Sequence, residues 1–210
     1  MRILHISDTH NQHRLLHDLP AADLIIHVCC AKCKHSGDIT FSSAGKEVVD
    51  FVDWFGGLDY RHKIFIAGNH DDCMYGKKTE TIQRFLSAGC HYLCHSGIEI
   101  EGLKFWGEPF FWSDDENGRF PKIMAQIPAG IDILITHRPP YGILDTRKNI
   151  SYGCPDLLLA VLLKVSPRYH LFGHVHDAYG IQKVGATTFV NASVLDDAYQ
   201  LTNEPVVFEV

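Results

Sequence analysis

Short apolar runs that end in polar, metal-compatible side chains recur through this chain and restrict the folds it can adopt. One run, Ile64 to Ala67, has the length and composition of a buried strand and leads directly into Gly68-Asn69-His70-Asp71. Gly68 allows a sharp turn, after which an amide, an imidazole and a carboxylate follow. Polar side chains at the carboxyl ends of strands form the active sites of open α/β sheets. Taken alone, however, a polar turn after a strand is usually only a turn.

The same arrangement occurs at five junctions between a strand-like run and a loop. The polar residues at these junctions are Asp8 and His10, Asp38, Asn69 and His70, His137, and His174 and His176. Apart from His70 they offer carboxylates, imidazoles and an amide oxygen, which together suit divalent ions such as Mn, Fe or Zn. Seven ligands are too many for one tetrahedral ion and suit two ions that share a bridging ligand. The sequence therefore predicts a dinuclear metal site.

Strand-like and helical segments alternate early in the chain, and strands dominate later. Helical spacing of apolar residues predicts helices over 43–55 and 79–87, and a third, largely buried helix over 156–165. A hairpin is predicted around Gly102, and residues 107–121 are predicted to form an ordered loop. The aromatic residues of that loop, including Trp112, serve either packing or a substrate wall. The pattern predicts one α/β (α+β) domain over residues 1–210, with two packed sheets flanked by helices.

Composition narrows the classes of partner and compartment. The chain has 210 residues, of which 46% are hydrophobic, so it can form a sizeable core. Its net charge of −6 argues against a long nucleic acid as the main partner, but not against a small phosphate ligand. We see no secretory signal, and the longest apolar stretch is far shorter than the roughly 18 residues that a membrane helix needs. Seven cysteines without a disulfide pattern predict reduced thiols in a cytoplasmic protein.

Five segments occur in a fixed order that is typical of one enzyme family. They are Asp8-x-His10, Gly37-Asp38, Gly68-Asn69-His70-Asp71, Thr136-His137 and Gly173-His174-Val175-His176. Through them the chain resembles the calcineurin-like metallophosphoesterases over nearly its whole length. From Thr136 to Asn191-Ala192-Ser193 it is similar to one branch, the metallophosphoesterase-domain-containing proteins of animals and their bacterial relatives. The resemblance implies a four-layer sandwich of two mixed β-sheets flanked by helices, with the site at the strand ends.

The resemblance also implies a role for each polar residue at these junctions. Asp8, His10 and His176 would hold one metal ion. Asp38 would bridge to a second ion, whose other ligands would be Asn69, His137 and His174. His70 would contact the substrate phosphate, together with Asn69, and would protonate the leaving oxygen. A hydroxide that bridges the two ions would attack phosphorus in line.

The expected reaction is hydrolysis of a small phosphoester, with small or cyclic nucleotide-type phosphodiesters as the expected substrates. A phosphomonoesterase or a nuclease of the same family is the alternative, as is a metal- or nucleotide-binding protein with little turnover. Arg138 either binds the substrate phosphate through its guanidinium fork or forms a surface ion pair. The sequence carries no signal for an oligomeric state.

Two departures from the family pattern affect the site. Ile39-Thr40-Phe41 contains no carboxylate to orient His70, so Asp71 or Asp72 is the alternative partner. About eight additional residues, which include Cys30 and Cys33, separate His27 from Ser36. With Cys29, His27 and His35 these cysteines either bind zinc or belong to a tolerated loop insertion. The insertion adjoins Asp38, and this position motivates the binding-protein alternative.

Overall fold

Two β-sheets packed face to face form the centre of the protein. The computed structural model describes residues 1–29 and 45–210. In chain order the strands are β1 (Arg2–Ser7), β2 (Leu24–Val28), β3 (His62–Ile66), β4 (Cys90–Tyr92), β5 (Ser96–Ile100), β6 (Leu103–Glu108), β7 (Ile133–Thr136), β8 (Thr146–Arg147), β9 (Ile150–Ser151), β10 (Tyr169–Phe172), β11 (Gly180–Val184), β12 (Thr187–Asn191) and β13 (Val206–Glu209). The first sheet has the order β13-β1-β2-β3-β4, and the second has the order β11-β12-β10-β7-β6-β5.

Both sheets are mixed. In the first sheet β1, β2, β3 and β4 run parallel and β13 pairs antiparallel with β1. In the second sheet β12, β10, β7 and β6 run parallel, and β11 and β5 are antiparallel edge strands. The predicted hairpin around Gly102 is confirmed as β5 and β6. Since the central strands of each sheet are parallel, their carboxyl ends lie together at one edge.

The innermost core layer lies between the two sheets. It is built from β-branched and leucine side chains of both sheets, namely Ile3, Leu24, Ile26, Val28, Ile64 and Ile66 from the first and Ile133, Ile135, Leu171 and Val190 from the second. Each of these side chains is fully buried or nearly so. Strands that are covered on both faces read as continuous apolar runs, which explains the sequence pattern that preceded each polar junction.

Helices cover the outer face of each sheet. The helices are α1 (Lys46–Gly57), α2 (Thr79–Gln83), α3 (Trp112–Glu116), α4 (Phe120–Gln126) and α5 (Pro155–Ala160). Short 3-10 turns span His13–Leu15, Asp72–Met74 and His176–Ala178, and a π-helical turn at Val161–Val165 extends α5. Phe51 and Phe55 of α1 pack on the first sheet, and Met124 of α4 packs on the second. The predicted sandwich of two mixed sheets flanked by helices is confirmed.

Two predictions about local structure are wrong. Residues 107–121 are not a loop throughout, because α3 and the start of α4 lie within them. The predicted buried helix over 156–165 is only partly buried: Leu157, Val161 and Val165 face the core, whereas Leu159 and Leu163 are 55% and 80% exposed. The run is apolar on all sides, so its periodicity did not reveal which face is buried.

In the described part of the chain, none of the helices has both the length and the hydrophobicity needed to span a bilayer. The longest of them, α1, has 12 residues.

Candidate metal centre

The polar residues predicted as ligands lie where the carboxyl ends of the two sheets meet. Asp8 follows β1 and Asn69 follows β3, both in the first sheet, whereas His137 follows β7 and His174 follows β10 in the second. The two sheets are joined here by the backbone, because Ser7 N donates to Ala192 O over 2.9 Å. The site therefore draws side chains from both sheets. Asp38 lies outside the described residues.

Asp8, His10 and His176 form the first donor group. One potential ligand atom from each residue lies within 4.8 Å of the other two. The Nε2 atoms of His10 and His176 are 3.1 Å apart. One carboxylate and two imidazoles converging on a small volume make a suitable partial ligand set for a divalent ion.

Hydrogen bonds fix the Asp8 carboxylate in one orientation. Its Oδ2 atom accepts hydrogen bonds from the Ser7 hydroxyl, the Ser193 hydroxyl and the His174 backbone N–H, each over 2.8 Å. Its Oδ1 atom is buried and has no hydrogen-bond partner in the part of the chain that the structure describes. Burial opposes ionisation, but the nearby His137, His176 and His10 outweigh it and hold the pKa of Asp8 below its ordinary value. A buried, ionised oxygen of this kind fits a cation ligand.

Asn69, His137 and His174 form the second donor group. Asn69 Oδ1 lies 2.7 Å from His137 Nε2 and 3.2 Å from His174 Nδ1, and the two ring nitrogens are also 3.2 Å apart. Burial lowers the pKa of His137 to about 4 and that of His174 to about 3. Both rings are therefore neutral at neutral pH, which is the form of histidine that binds a metal.

A backbone contact orients the ring of His176. The Nδ1 atom of His176 lies 3.0 Å from the Asp196 carbonyl oxygen, so Nδ1 carries the proton and donates it. This arrangement directs the lone pair of Nε2 towards the first donor group, as is typical of metal-binding histidines. Asp8, His10 and His174 have positive φ angles of 55°, 42° and 70°. Residues other than glycine are strained in this region of φ, and such strain is found most often at functional sites.

Two glycines allow the backbone to approach the ligands closely. A Cβ atom on Gly173 would collide with Asp8 Oδ2 and Ser7 Oγ. A Cβ atom on Gly68 would lie 2.6 Å from His137 Cε1 and would also collide with the Cys29 carbonyl. Both positions therefore exclude a side chain, which explains the glycine that precedes Asn69 and the one that precedes His174.

The structure places His70 at the open side of the site. His70 is exposed, and its ring centroid lies 5.6 Å from that of His10. Of its two candidate partners, Asp71 is buried and accepts a hydrogen bond from Gly68 N over 2.7 Å, which closes the turn. Burial raises the pKa of Asp72, and the charge of the nearby His70 partly opposes this rise. Asp72 therefore lies close enough to His70 to interact with it electrostatically.

A cavity of about 240 Å³ opens onto both donor groups. The described residues that line it are Asp8, His10, Asn69, His70, His174 and His176, together with Trp112, Arg147, Tyr152, Val175 and Tyr199. Sequence reasoning missed Arg147, Tyr152 and Tyr199. Arg147 and Tyr152 come from the region of the β8–β9 hairpin, which no ligand motif marks.

Arg138 is not among the described residues of the cavity wall. Its Nε atom donates to the Tyr152 carbonyl over 2.8 Å, and its Nη1 atom lies 3.8 Å from an oxygen of Asp115. The guanidinium also lies over the Phe110 ring, 5.2 Å from the ring centroid. Its role as a substrate ligand stays a prediction.

Of the three cysteines of the predicted cluster, the structure describes Cys29. Cys29 is buried, and its Sγ atom lies 4.0 Å from Asp71 Oδ1. Cys30, Cys33 and His35 lie outside the described residues. His27 is buried beside Thr9, with its Nε2 atom 3.1 Å from the Thr9 hydroxyl. The choice between a zinc site and a loop insertion stays open.

Comparison with known proteins identifies the family of the chain. A profile of the calcineurin-like phosphoesterase family matches residues 1–178. Metallophosphoesterase domain-containing protein 1 of Homo sapiens is 35% identical over 240 aligned positions, which cover 100% of this chain and 71% of that protein. A UPF0046 protein of Caenorhabditis elegans is also 35% identical, with coverage of 100% and 81%.

Solved structures share the fold at much lower identity. One structure aligns with a TM-score of 0.62 at 14% identity and covers 99% of this chain and 98% of its own. The structure of GAP50, the anchor in the inner membrane complex of Plasmodium, aligns with a TM-score of 0.50 at 10% identity, with coverage of 99% and 80%. Together with the ordered ligand segments, the family match shows that the chain belongs to the calcineurin-like phosphoesterase family of metal-dependent phosphoester hydrolases.

Proposed function

We propose that the chain is a phosphodiesterase that uses two divalent ions, of which Mn, Fe and Zn suit its ligands, and that it acts on small or cyclic nucleotides. The observation that carries the proposal is the pair of adjacent donor groups. They are linked directly, because Asp8 of the first group accepts a hydrogen bond from the backbone of His174 of the second. Bound divalent ions would neutralise the phosphate charge and supply an activated water.

The residues of the chain would position the substrate and move one proton. Asn69 and His174 line the cavity, so a phosphate that enters it meets the second donor group. His70 lies at the exposed side, next to His10, where a leaving oxygen would depart. An imidazole titrates near neutrality and is suited to protonating that oxygen. We assign His70 this role.

Charge supports a diester over a monoester. A monoester brings two negative charges, and Arg147 is the one Lys or Arg among the described residues of the cavity wall. The net charge of −6 likewise disfavours long nucleic acids, which need several cationic contacts. Trp112 is 44% exposed at the cavity and offers a face to a base. The proposed partner is thus a small phosphoester, and the cysteine content supports a cytoplasmic location.

The test combines metal analysis with a substrate comparison. We expect two metal equivalents per chain, and a higher kcat/KM for an aryl phosphodiester than for the matched monoester. The 2′,3′- and 3′,5′-cyclic nucleotides would then be compared. A monoester preference of tenfold or more would overturn the diester proposal, and efficient cleavage of long single-stranded DNA would favour a nuclease. Metal binding without turnover of any of these substrates would favour the binding-protein alternative.

Asp38 provides a separate test of the dinuclear arrangement. It is the carboxylate predicted to touch both ions, and its two oxygens suit a bridge. We expect Asp38→Asn to abolish turnover, whereas a variant with a near-normal rate and two bound metals would overturn the bridging role.

Replacing Cys29, Cys30 and Cys33 together with Ser should leave activity in place if that stretch is a loop insertion. Loss of one metal equivalent would instead favour a zinc site.

A further inference from the structure

Arg147 lies on the cavity wall, although it belongs to no ligand motif. It ends the two-residue strand β8, which pairs antiparallel with β9 through Arg147 and Ile150. The hairpin contacts the 3-10 turn His176–Ala178, which carries one of the metal-ligand histidines. The Arg147 side chain is 40% exposed. A cation is therefore held beside the donor groups and is open to the cavity.

Asp197 fixes the orientation of the Arg147 guanidinium through one of its two edges. Arg147 Nε lies 2.5 Å from Asp197 Oδ1, and Arg147 Nη2 donates to Asp197 Oδ2 over 2.6 Å. A guanidinium carries five N–H donors, and a carboxylate that engages this edge leaves the Nη1 side available. In the described part of the chain, no hydrogen bond or ion pair uses Nη1 of Arg147. That side can grip two oxygens of a phosphate, which is the geometry that arginine favours.

The turn that holds Asp197 also supports the metal ligands. The Asp196 carbonyl accepts the hydrogen bond from His176 Nδ1, and the Tyr199 ring lies 4.9 Å from the His10 ring and 5.4 Å from the His176 ring. The Asp196 carboxylate closes the turn by accepting from the N–H groups of Ala198 and Gln200 over 2.9 and 2.8 Å. Arg147 is therefore anchored to the same turn that orients His176, so its position relative to the site is fixed.

Arg138 differs from Arg147 in each of these respects. Its Nε atom is used by the Tyr152 carbonyl, Asp115 lies beside Nη1, and the Phe110 ring covers its face. Its side chain is 23% exposed, compared with 40% for Arg147. Arg138 holds the segment that carries Tyr152, whereas Arg147 presents donors to the cavity.

We infer that Arg147, oriented by Asp197, is a substrate-binding residue that grips the anionic oxygens of the phosphoester. The inference rests on the proposed function, because it assigns a further contact in the same site. The ligand class is a phosphate ester or inorganic phosphate, whose oxygens match the free edge of the guanidinium. Asp197 is a positioning residue that acts through Arg147.

The test measures KM for bis(4-nitrophenyl) phosphate and the affinity of the metal-loaded protein for inorganic phosphate by calorimetry. We expect Arg147→Gln to raise both KM and the phosphate Kd about 10- to 100-fold, the scale of one charge-assisted contact. Arg147→Lys should give a smaller increase, because an ammonium keeps the charge but lacks the fork. Asp197→Asn should also raise KM by less than Arg147→Gln does, because the arginine is present but less well oriented.

Arg61→Gln is the matched control. Arg61 forms an exposed ion pair with Glu101 over 3.0 Å and is not among the described cavity residues, so its loss should leave KM and Kd unchanged. The inference is overturned if Arg147→Gln matches Arg61→Gln in both quantities, or if it loses metal, since Arg147 would then act on the metal centre. If the wild-type protein turns over no phosphoester, the proposed function fails, while the phosphate Kd still decides the role of Arg147.

Discussion

Asn69 Oδ1 lies 2.7 Å from His137 Nε2, although the two residues are 68 positions apart and follow strands of different sheets. With the ring neutral, the nitrogen donates its proton to the amide oxygen. In the other neutral tautomer the ring proton would lie on Nδ1, so that Nε2 and the amide oxygen could both act as ligands of a divalent ion. The contact thus identifies the two side chains as parts of one ligand group.

Removing either side chain should therefore remove the same metal. We expect Asn69→Ala and His137→Ala each to lower metal content from two equivalents to one, measured by elemental analysis after dialysis. The double variant should lose no more than either single variant, because both changes act on one ion. Asn117→Ala, at an exposed position, serves as the control. Loss of two equivalents in the double variant would show that the residues bind different ions.

His70→Ala should separate catalysis from metal binding. His70 is exposed at the cavity and is assigned to proton transfer. We expect metal content close to that of the wild type and a kcat lower by about 10²- to 10⁴-fold, the usual scale of general acid catalysis. The loss should be smaller for a substrate whose leaving group needs no proton. A fall in metal content together with the rate would make His70 a ligand.

Gly173 offers a test of the close packing behind Asp8. Gly173→Ala would push a methyl group against Asp8 Oδ2 and Ser7 Oγ. We expect a loss of about 1–3 kcal/mol in the free energy of unfolding, as for other overpacked sites. We also expect the first donor group to bind its metal ion more weakly. Gly57→Ala is the matched control, because nothing lies within 4 Å of the added atom. Urea denaturation and metal titration of both variants would check this, and equal stabilities would contradict it.

His5, a buried histidine that is not a candidate ligand, should make the protein less stable in acid. His5 is fully buried between the carbonyl oxygens of Ile26 and Phe172, and burial lowers its pKa from 6.5 to about 4. As the pH falls below 6.5, the unfolded chain binds a proton before the folded one does. The free energy of unfolding should therefore be constant with respect to this group above pH 6.5, and should fall between pH 6.5 and about 4.

The His5→Gln variant isolates that contribution. The difference in unfolding free energy between pH 7 and pH 4.5 should be about 2 kcal/mol smaller in this variant than in the wild type. His17→Gln, at an exposed position, should leave the difference unchanged. Equal pH dependence in the wild type and His5→Gln would refute the assignment.

The sequence predicted the fold and the meeting of the four candidate ligand segments that the structure describes, because both depend on local patterns. Strands covered on both faces are continuously apolar, so each polar side chain that follows one marks a strand end. Asp8, Asn69 and His137 could be identified in this way. Glycines that the ligands themselves require, Gly68 and Gly173, belong to the same short segments.

The sequence did not predict contacts that join distant segments without a motif. Arg147 and Asp197 are 50 positions apart, and neither follows a strand with the pattern of the ligand junctions. The short helices α3 and α4 were missed because the Gly, Pro and aromatic residues of this segment are typical of a loop. Phe120 and Met124 of α4 are buried by tertiary packing. Short helices gain most of their stability from such packing rather than from propensity.

The origin of the ligands in both sheets has a consequence for unfolding. Bound ions would act as non-covalent crosslinks across the sandwich, since the first donor group joins Asp8 of one sheet to His176 of the other, and the second joins Asn69 to His174. At a free metal concentration of 100 Kd, linkage adds about 2.7 kcal/mol per site to the free energy of unfolding. Amide hydrogens of β1 and β10 should then share one free energy of opening in the loaded protein, and chelation should lower it for both strands together.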